Sequence, residues 1–225
     1  TEKQEKFAEP FHWNEVYAEV NNETYHRTLV RELIPKPGTV KASFFVPQPV
    51  YISLTTMASR MHRVNKTIIG LIQARVVPTT IYLFISKESY LLDTGVKEIP
   101  NELLCLVAEG YLKIIYTANI GPHRKLIPAL KRHWREDVFI ATVDDDMRKD
   151  QAYMILYRLL KHYTMAEKKD TIVALRARRI GLCDTFPYKV TKYMTWSLQT
   201  AVNRQEMMLM PTGTGGILYK PSYFH

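Results

Sequence analysis

Three adjacent aspartates, Asp144, Asp145 and Asp146, follow directly on an apolar run, DVFIATV (137–143). Neighbouring carboxylates repel one another, and the charged form of each is costly at the edge of an apolar segment unless a cation offsets it. An oxygen-only donor set of this density suits a hard divalent ion, Mg²⁺ or Mn²⁺. Such ions take one or two protein carboxylates and fill their remaining positions with phosphate oxygens and water. The plainer alternative is a solvated acidic turn at the start of the following helix, where negative charge is stabilising. The neighbourhood favours the metal: Arg124, Lys125, Lys131, Arg132 and Arg135 lie within residues 123–135, with no acid among them. Carboxylates beside cations are what a metal–diphosphate complex requires.

The elements that would hold this triplet read as an alternating series. PVYISL (49–54), TTIYLFI (79–85), YLKIIYT (111–117), DVFIATV (137–143) and TIVALRA (171–177) are short runs rich in strand formers. Between them, residues 59–75 carry Met61, Val64, Ile68, Leu71 and Ile72 at helical spacing, ended by Pro78. NELLCLVAEG (101–110) reads as a short helix capped by Asn101 and stopped by Gly110. HRKLIPALKRHW (123–134) reads as a basic helix bent at Pro128, and QAYMILYRLLKHY (151–163) as an amphipathic one. Strands that are apolar on both faces, alternating with helices, predict an α/β fold: a mainly parallel sheet flanked by helices on both faces. In such a sheet, ligands bind at the carboxyl ends of the strands, where the triplet lies. Residues 207–224 read as a strand, a glycine-rich bend and a second short strand. Residues 1–48, with four prolines and no sustained period, read as an extended lead-in with one short helix near Trp13–Val20, and residues 49–225 as the functional domain.

The whole chain has 225 residues, a hydrophobic fraction of 46% and a net charge of +9. Wholesale disorder is excluded, and so is a transmembrane helix, since no run of 18 apolar residues occurs. The charge favours an anionic partner: nucleic acid, a membrane surface or a phosphorylated small molecule. Cys105 and Cys183 are too few and too far apart for a zinc finger or a disulfide scaffold, and read as buried reduced thiols of a reducing, cytoplasmic compartment.

Four segments in order carry a resemblance. They are Thr55-Thr56 after the first strand, Asn119-Ile120-Gly121-Pro122-His123-Arg124-Lys125 after the third, the aspartate triplet after the fourth, and Gly213-Thr214-Gly215-Gly216-Ile217-Leu218-Tyr219. Together, over about residues 49–221, they resemble the nucleotide-sugar glycosyltransferases of the GT-A, Rossmann-like fold. The likeness is to a group that includes a glycosyltransferase domain of a large algal virus and uncharacterised bacterial homologues.

The resemblance implies a divalent ion, Mn²⁺ or Mg²⁺, bridging the two phosphates of a nucleoside-diphosphate sugar, UDP-sugar by default. It makes Asp146 the direct ligand, Asp144 a ligand through water or a ribose contact, and Asp145 a residue facing the sugar. Thr55, Thr56 and Arg60 would cradle the nucleoside and diphosphate; the alternative is that the threonines cap the next helix and Arg60 is solvated. Lys125 would approach the nucleotide, with Arg124, Lys131 and Arg132 on a solvated basic face. Gly213, Gly215 and Gly216 would let backbone approach the donor sugar or acceptor. Arg176, Arg178 and Arg179 read as a solvated strand end.

Similar proteins carry an acidic motif beyond the Gly-Gly-Ile-Leu-Tyr strand that would supply a catalytic base. Here the residues run from Thr1 to His225 without it, so the chain reads as a fragment or an incomplete member, and Glu206 is the nearest substitute. His225 is a further candidate ligand. The acceptor, whether glycan, protein or lipid, is open. The alternatives are a nucleotide-binding paralogue without activity, a nucleotidyltransferase (disfavoured because LTTMASRMHR lacks glycine) and a nucleic-acid module, disfavoured for want of a recognition motif.

Overall fold

Strands that are apolar on both sides must be covered on both sides, and the chain does this with one seven-stranded sheet. The computed structural model describes residues 14–16, 31, 46–74, 79–166, 170–199 and 206–224. Its strands are β1 (Asn14–Glu15), β2 (Val50–Thr55), β3 (Thr79–Ile85), β4 (Leu112–Tyr116), β5 (Phe139–Thr142), β6 (Val173–Ala174) and β10 (Ile217–Tyr219), in the spatial order β1-β4-β3-β2-β5-β10-β6. The four central strands β4, β3, β2 and β5 are parallel, while β1 and β10 run antiparallel to their neighbours. A second sheet of β7 (Ala177–Arg179), β8 (Leu198–Gln199) and β9 (Leu209–Pro211) has the order β8-β7-β9. The fold is α/β and Rossmann-like, as expected.

Alternation along the strands sorts the core into two layers. Ile52, Leu54, Ile81, Leu83, Ile114 and Phe139 face one side, packed with α1 (Val64–Ala74), α2 (Asn101–Ala108) and α4 (Lys149–Met165). Tyr82, Phe84, Ile115 and Ile140 face the other, against Ala129 and Leu130 of α3 (Ile127–Arg132). Helix α2 ends as predicted at Gly110, whose φ of +75° is the left-handed conformation of a C-terminal stop. Among the described residues, no helix is long and apolar enough to cross a membrane.

Several boundaries differ from expectation. Asn14 and Glu15 form an edge strand on β4 rather than part of a helix; Trp13 and residues 17–20 lie outside the described residues. The helix expected over 59–75 begins as a 3-10 turn at Ala58–Arg60 and becomes α1 only at Val64. Pro100, not Asn101, occupies the N-cap of α2. The basic helix is a 3-10 turn, Gly121–Lys125, followed by α3, with Pro128 in the first turn of α3, where its missing N–H costs nothing, so it bends no helix. The run 171–177 is divided: Val173–Ala174 joins the main sheet and Ala177 starts the second, so the expected fifth parallel strand is a two-residue edge beside the antiparallel β10. Cys105 is buried, but Cys183 is partly exposed; both are free thiols.

The expected glycine bend joins β9 to β10 and sits tightly on α4. A Cβ at Gly216, where φ is +91°, would lie 2.9 Å from Ile155 Cγ2. Gly216→Ala is expected to lose about 1–3 kcal/mol of stability, read as a lower urea midpoint at unchanged m-value. An unchanged midpoint would mean that the bend is not held against α4.

Candidate functional site

Strand β2 connects through α1 to β3 on one side, while β5 pairs with its other edge. The order therefore reverses between β2 and β5, and the carboxyl ends of strands at such a reversal are where open α/β sheets bind ligands. In register, Ser53 lies opposite Thr142, so Thr55-Thr56 and Asp144-Asp145-Asp146 emerge side by side. The main chain continues this pairing, with the Val143 N–H donating to Ser53 O at 3.0 Å.

Each aspartate has a different surrounding. Asp145 is only 6% exposed. Its carboxylate accepts the Thr56 hydroxyl at 2.6 Å and meets Arg60 Nη1 at 2.9 Å. Burial pushes its carboxyl above the ordinary value, against the Thr56 hydrogen bond and the Arg60 charge and with a contribution from Asp146. Asp146 is 66% exposed and is reached by the same Arg60 nitrogen at 3.1 Å. Asp144 forms an ion pair with Lys125 Nζ. The triplet is thus divided between two cations, and among the described residues no three His, Cys, Asp or Glu side chains converge as a metal cluster.

The resemblance placed Asp145 toward the sugar; the structure turns it inward, where Thr67 of α1 also anchors this turn. The Thr67 hydroxyl lies 3.0 Å from both the Asp145 and Met147 carbonyls. Thr55 donates its hydroxyl to Phe84 O at 2.7 Å. Neither threonine caps the 3-10 turn that follows, whose start has no side-chain cap.

Lys125 is presented by the Gly121–Lys125 turn, which the Ser53 hydroxyl fastens to β2 by donating to the Lys125 carbonyl. The glycine bend closes on the same pair. A Cβ at Gly213 would fall 2.6 Å from Lys125 Nζ and 2.8 Å from Asp144 Oδ1, so only glycine leaves the Asp144 carboxylate open on that side. Gly215 and Gly216 belong instead to the packing of the bend, Gly215 against Leu175 and Gly216 against α4. Glu206 lies before β9 and pairs with Arg179 of β7 at 2.7 Å. Arg178 of that sheet places its guanidinium 5.0 Å over the Tyr193 ring, and both arginines are engaged rather than simply solvated. His225 lies outside the described residues.

Arg124, expected on a solvated face, is 2% exposed. It donates to Asp93 Oδ2 at 2.8 Å and to Thr56 O at 3.2 Å. Asp93, 4% exposed, also accepts the Ala58 N–H at 3.1 Å, the Gly95 N–H at 3.2 Å and Asn119 Nδ2 at 3.3 Å. One buried ion pair thereby ties together the loops after β2, β3 and β4. Asp93, Thr67 and Ser53 were not singled out in the sequence. The signal available for Thr67 was a polar residue on the apolar face of α1.

The oxygen-only donor set fits a hard divalent ion. Asp144 and Asp146 keep open carboxylate surface, and the missing Cβ at Gly213 preserves room beside Asp144. Those two residues could hold the ion. No protein-family model matches the sequence, and no curated protein is significantly similar to it.

Burial opposes ionisation of Asp93, but the Ala58 and Gly95 N–H groups and Arg124 outweigh it and hold the carboxyl below its ordinary 3.8. A depressed folded pKa contributes stability that is present above the unfolded value and lost as pH falls through the folded one. Asp93→Asn is therefore expected to cost about 3–5 kcal/mol at pH near 7, leaving Arg124 buried without its counter-charge. The deficit should shrink below the ordinary carboxylate range, as wild-type Asp93 protonates; a deficit independent of pH in thermal unfolding would contradict the assignment.

Proposed function

We propose that the chain is a metal-dependent glycosyltransferase that moves a sugar from a nucleoside-diphosphate sugar, UDP-sugar by default, to an acceptor hydroxyl. The observation that carries this reading is the gathering of Asp144, Asp146, Lys125, Arg60 and the Gly213 bend at the switch point beyond the carboxyl ends of β2 and β5. In the reaction the acceptor oxygen bonds to sugar C1 as the C1–diphosphate oxygen bond breaks. The bonding electron pair leaves with the diphosphate, and the proton of the acceptor hydroxyl passes to solvent. Negative charge grows on the leaving oxygen, and groups preorganised to meet it lower the barrier.

Asp144 and Asp146 would hold Mn²⁺ or Mg²⁺, which when bound supplies Lewis-acid stabilisation of the diphosphate worth several kcal/mol. Lys125 and Arg60 carry positive charge to the same phosphates. Asp145, fixed by Thr56 and Thr67, keeps the turn in shape. The Gly213 bend forms the wall against which the donor sugar lies. The free thiols Cys105 and Cys183 accord with a cytoplasmic setting.

A second reading is favoured by one observation: all three carboxylates are already paired with Arg60 or Lys125. A protein that only binds the nucleotide, without metal, could keep those pairs permanently.

Calorimetric titration with UDP separates the two. The glycosyltransferase reading expects binding that requires Mn²⁺, is abolished in Asp146→Ala, and is weakened about 10- to 100-fold in Lys125→Met, the loss of one charged hydrogen bond. Equal binding with and without Mn²⁺, unchanged in Asp146→Ala, would give the second reading, and no binding of any nucleoside diphosphate would remove both.

A further inference from the structure

Between β7 and β8 the chain makes an excursion that contributes no residue to the site described above. Its backbone is pinned. Leu182 and Val190 form an antiparallel bridge, the Cys183 N–H donates to Lys189 O at 2.9 Å, and the Thr191 N–H donates to Gly181 O at 2.8 Å. The Trp196 indole N–H closes it by donating to Thr191 O at 3.0 Å. A segment so well bonded would be expected to turn its apolar side chains inward, yet it turns them out. Phe186 is 87% exposed and Met194 79%, with Tyr188, Val190 and Tyr193 also exposed. The Phe186 and Tyr188 rings stand edge to face at 6.2 Å as an outward pair, while the exposed Tyr193 packs at 5.3 Å on the half-buried Trp196 and against the Arg178 guanidinium. Exposed apolar groups gathered in this way mark a surface that something covers.

The charges decide what covers it. Within residues 181–196 the charges are Lys189 and Lys192 against one acid, Asp184, while Arg178 and Arg179 of β7 are engaged with Tyr193 and Glu206. Lys189 and Lys192 are exposed and alternate with Tyr188, Val190 and Tyr193. A protein partner's interface core is depleted of lysine. At a bilayer surface the same interleaving is favourable: apolar side chains enter the headgroup boundary while lysine ammonium groups stay level with lipid phosphates.

We propose that residues 181–196 dock this protein onto an anionic lipid surface, with Phe186, Tyr188 and Met194 inserted and Lys189 and Lys192 at the headgroups. This does not rest on the glycosyltransferase reading, and UDP binding should survive its loss.

The test is co-sedimentation of the full 225-residue chain with vesicles of phosphatidylcholine alone or with about 30% phosphatidylserine. Binding is expected to the anionic vesicles only and to weaken with added salt. Each of Lys189→Glu and Lys192→Glu should weaken it at least about fivefold. Phe186→Ser with Met194→Ser should weaken it about tenfold or more at unchanged thermal midpoint, since both side chains are exposed. Equal binding to neutral and anionic vesicles, or binding to neither, would overturn the proposal. So would a concentration-dependent dimer lost in the Phe186→Ser variant together with absent vesicle binding.

Discussion

Three consecutive aspartates at the mouth of a parallel sheet can be tolerated only if positive charge reaches them. Two unit charges about 4 Å apart repel by roughly 4 kcal/mol at an effective dielectric near 20, a large share of a domain's net stability. Arg60 and Lys125 supply that charge from opposite sides. Arg60 arrives from the turn after β2 and spans Asp145 and Asp146; Lys125 arrives from the turn after β4 and holds Asp144. Much of the surrounding architecture serves to bring those two cations to this place. Ser53 fastens the Lys125 turn to β2, Thr67 fastens the aspartate turn to α1, and the buried Arg124–Asp93 pair locks three loops around them.

With Arg60 and Lys125 on the carboxylates, the site is neutralised internally. On the proposed reading, a diphosphate and a divalent ion entering together would let the same cations transfer to phosphate without leaving any carboxylate bare. Gly213 matters because a side chain there would collide with Lys125 and Asp144 at once. Burial pushes the Asp145 carboxyl above its ordinary value, the desolvation cost of holding a carboxylate inside the turn.

Much of this was legible in the sequence where one physical signal dominated. Strand β3 was read over residues 79–85 and forms there because a fully buried strand is apolar throughout. The triplet was legible because its cost is local. What could not be read depended on partners distant in sequence. Asn14 and Glu15 become a strand only by pairing with β4, about 100 residues later. The run 171–177 is apolar enough for one strand, yet the second sheet claims its end at Ala177. Among five basic residues in 123–135, nothing local distinguishes the buried Arg124, since its partner Asp93 lies 31 positions earlier. The overall charge of +9 pointed to anionic partners without separating the proposed phosphate site from the proposed lipid-facing loop between β7 and β8.

The exchange of counter-charges is tested most directly by crystals grown with UDP and Mn²⁺, with anomalous scattering used to locate the ion. The predicted map has a manganese peak bound to Asp146 and linked to Asp144, with Lys125 turned from its aspartate onto a phosphate oxygen. A map with nucleotide bound, Lys125 and Arg60 still on their carboxylates and no manganese beside them would contradict the account.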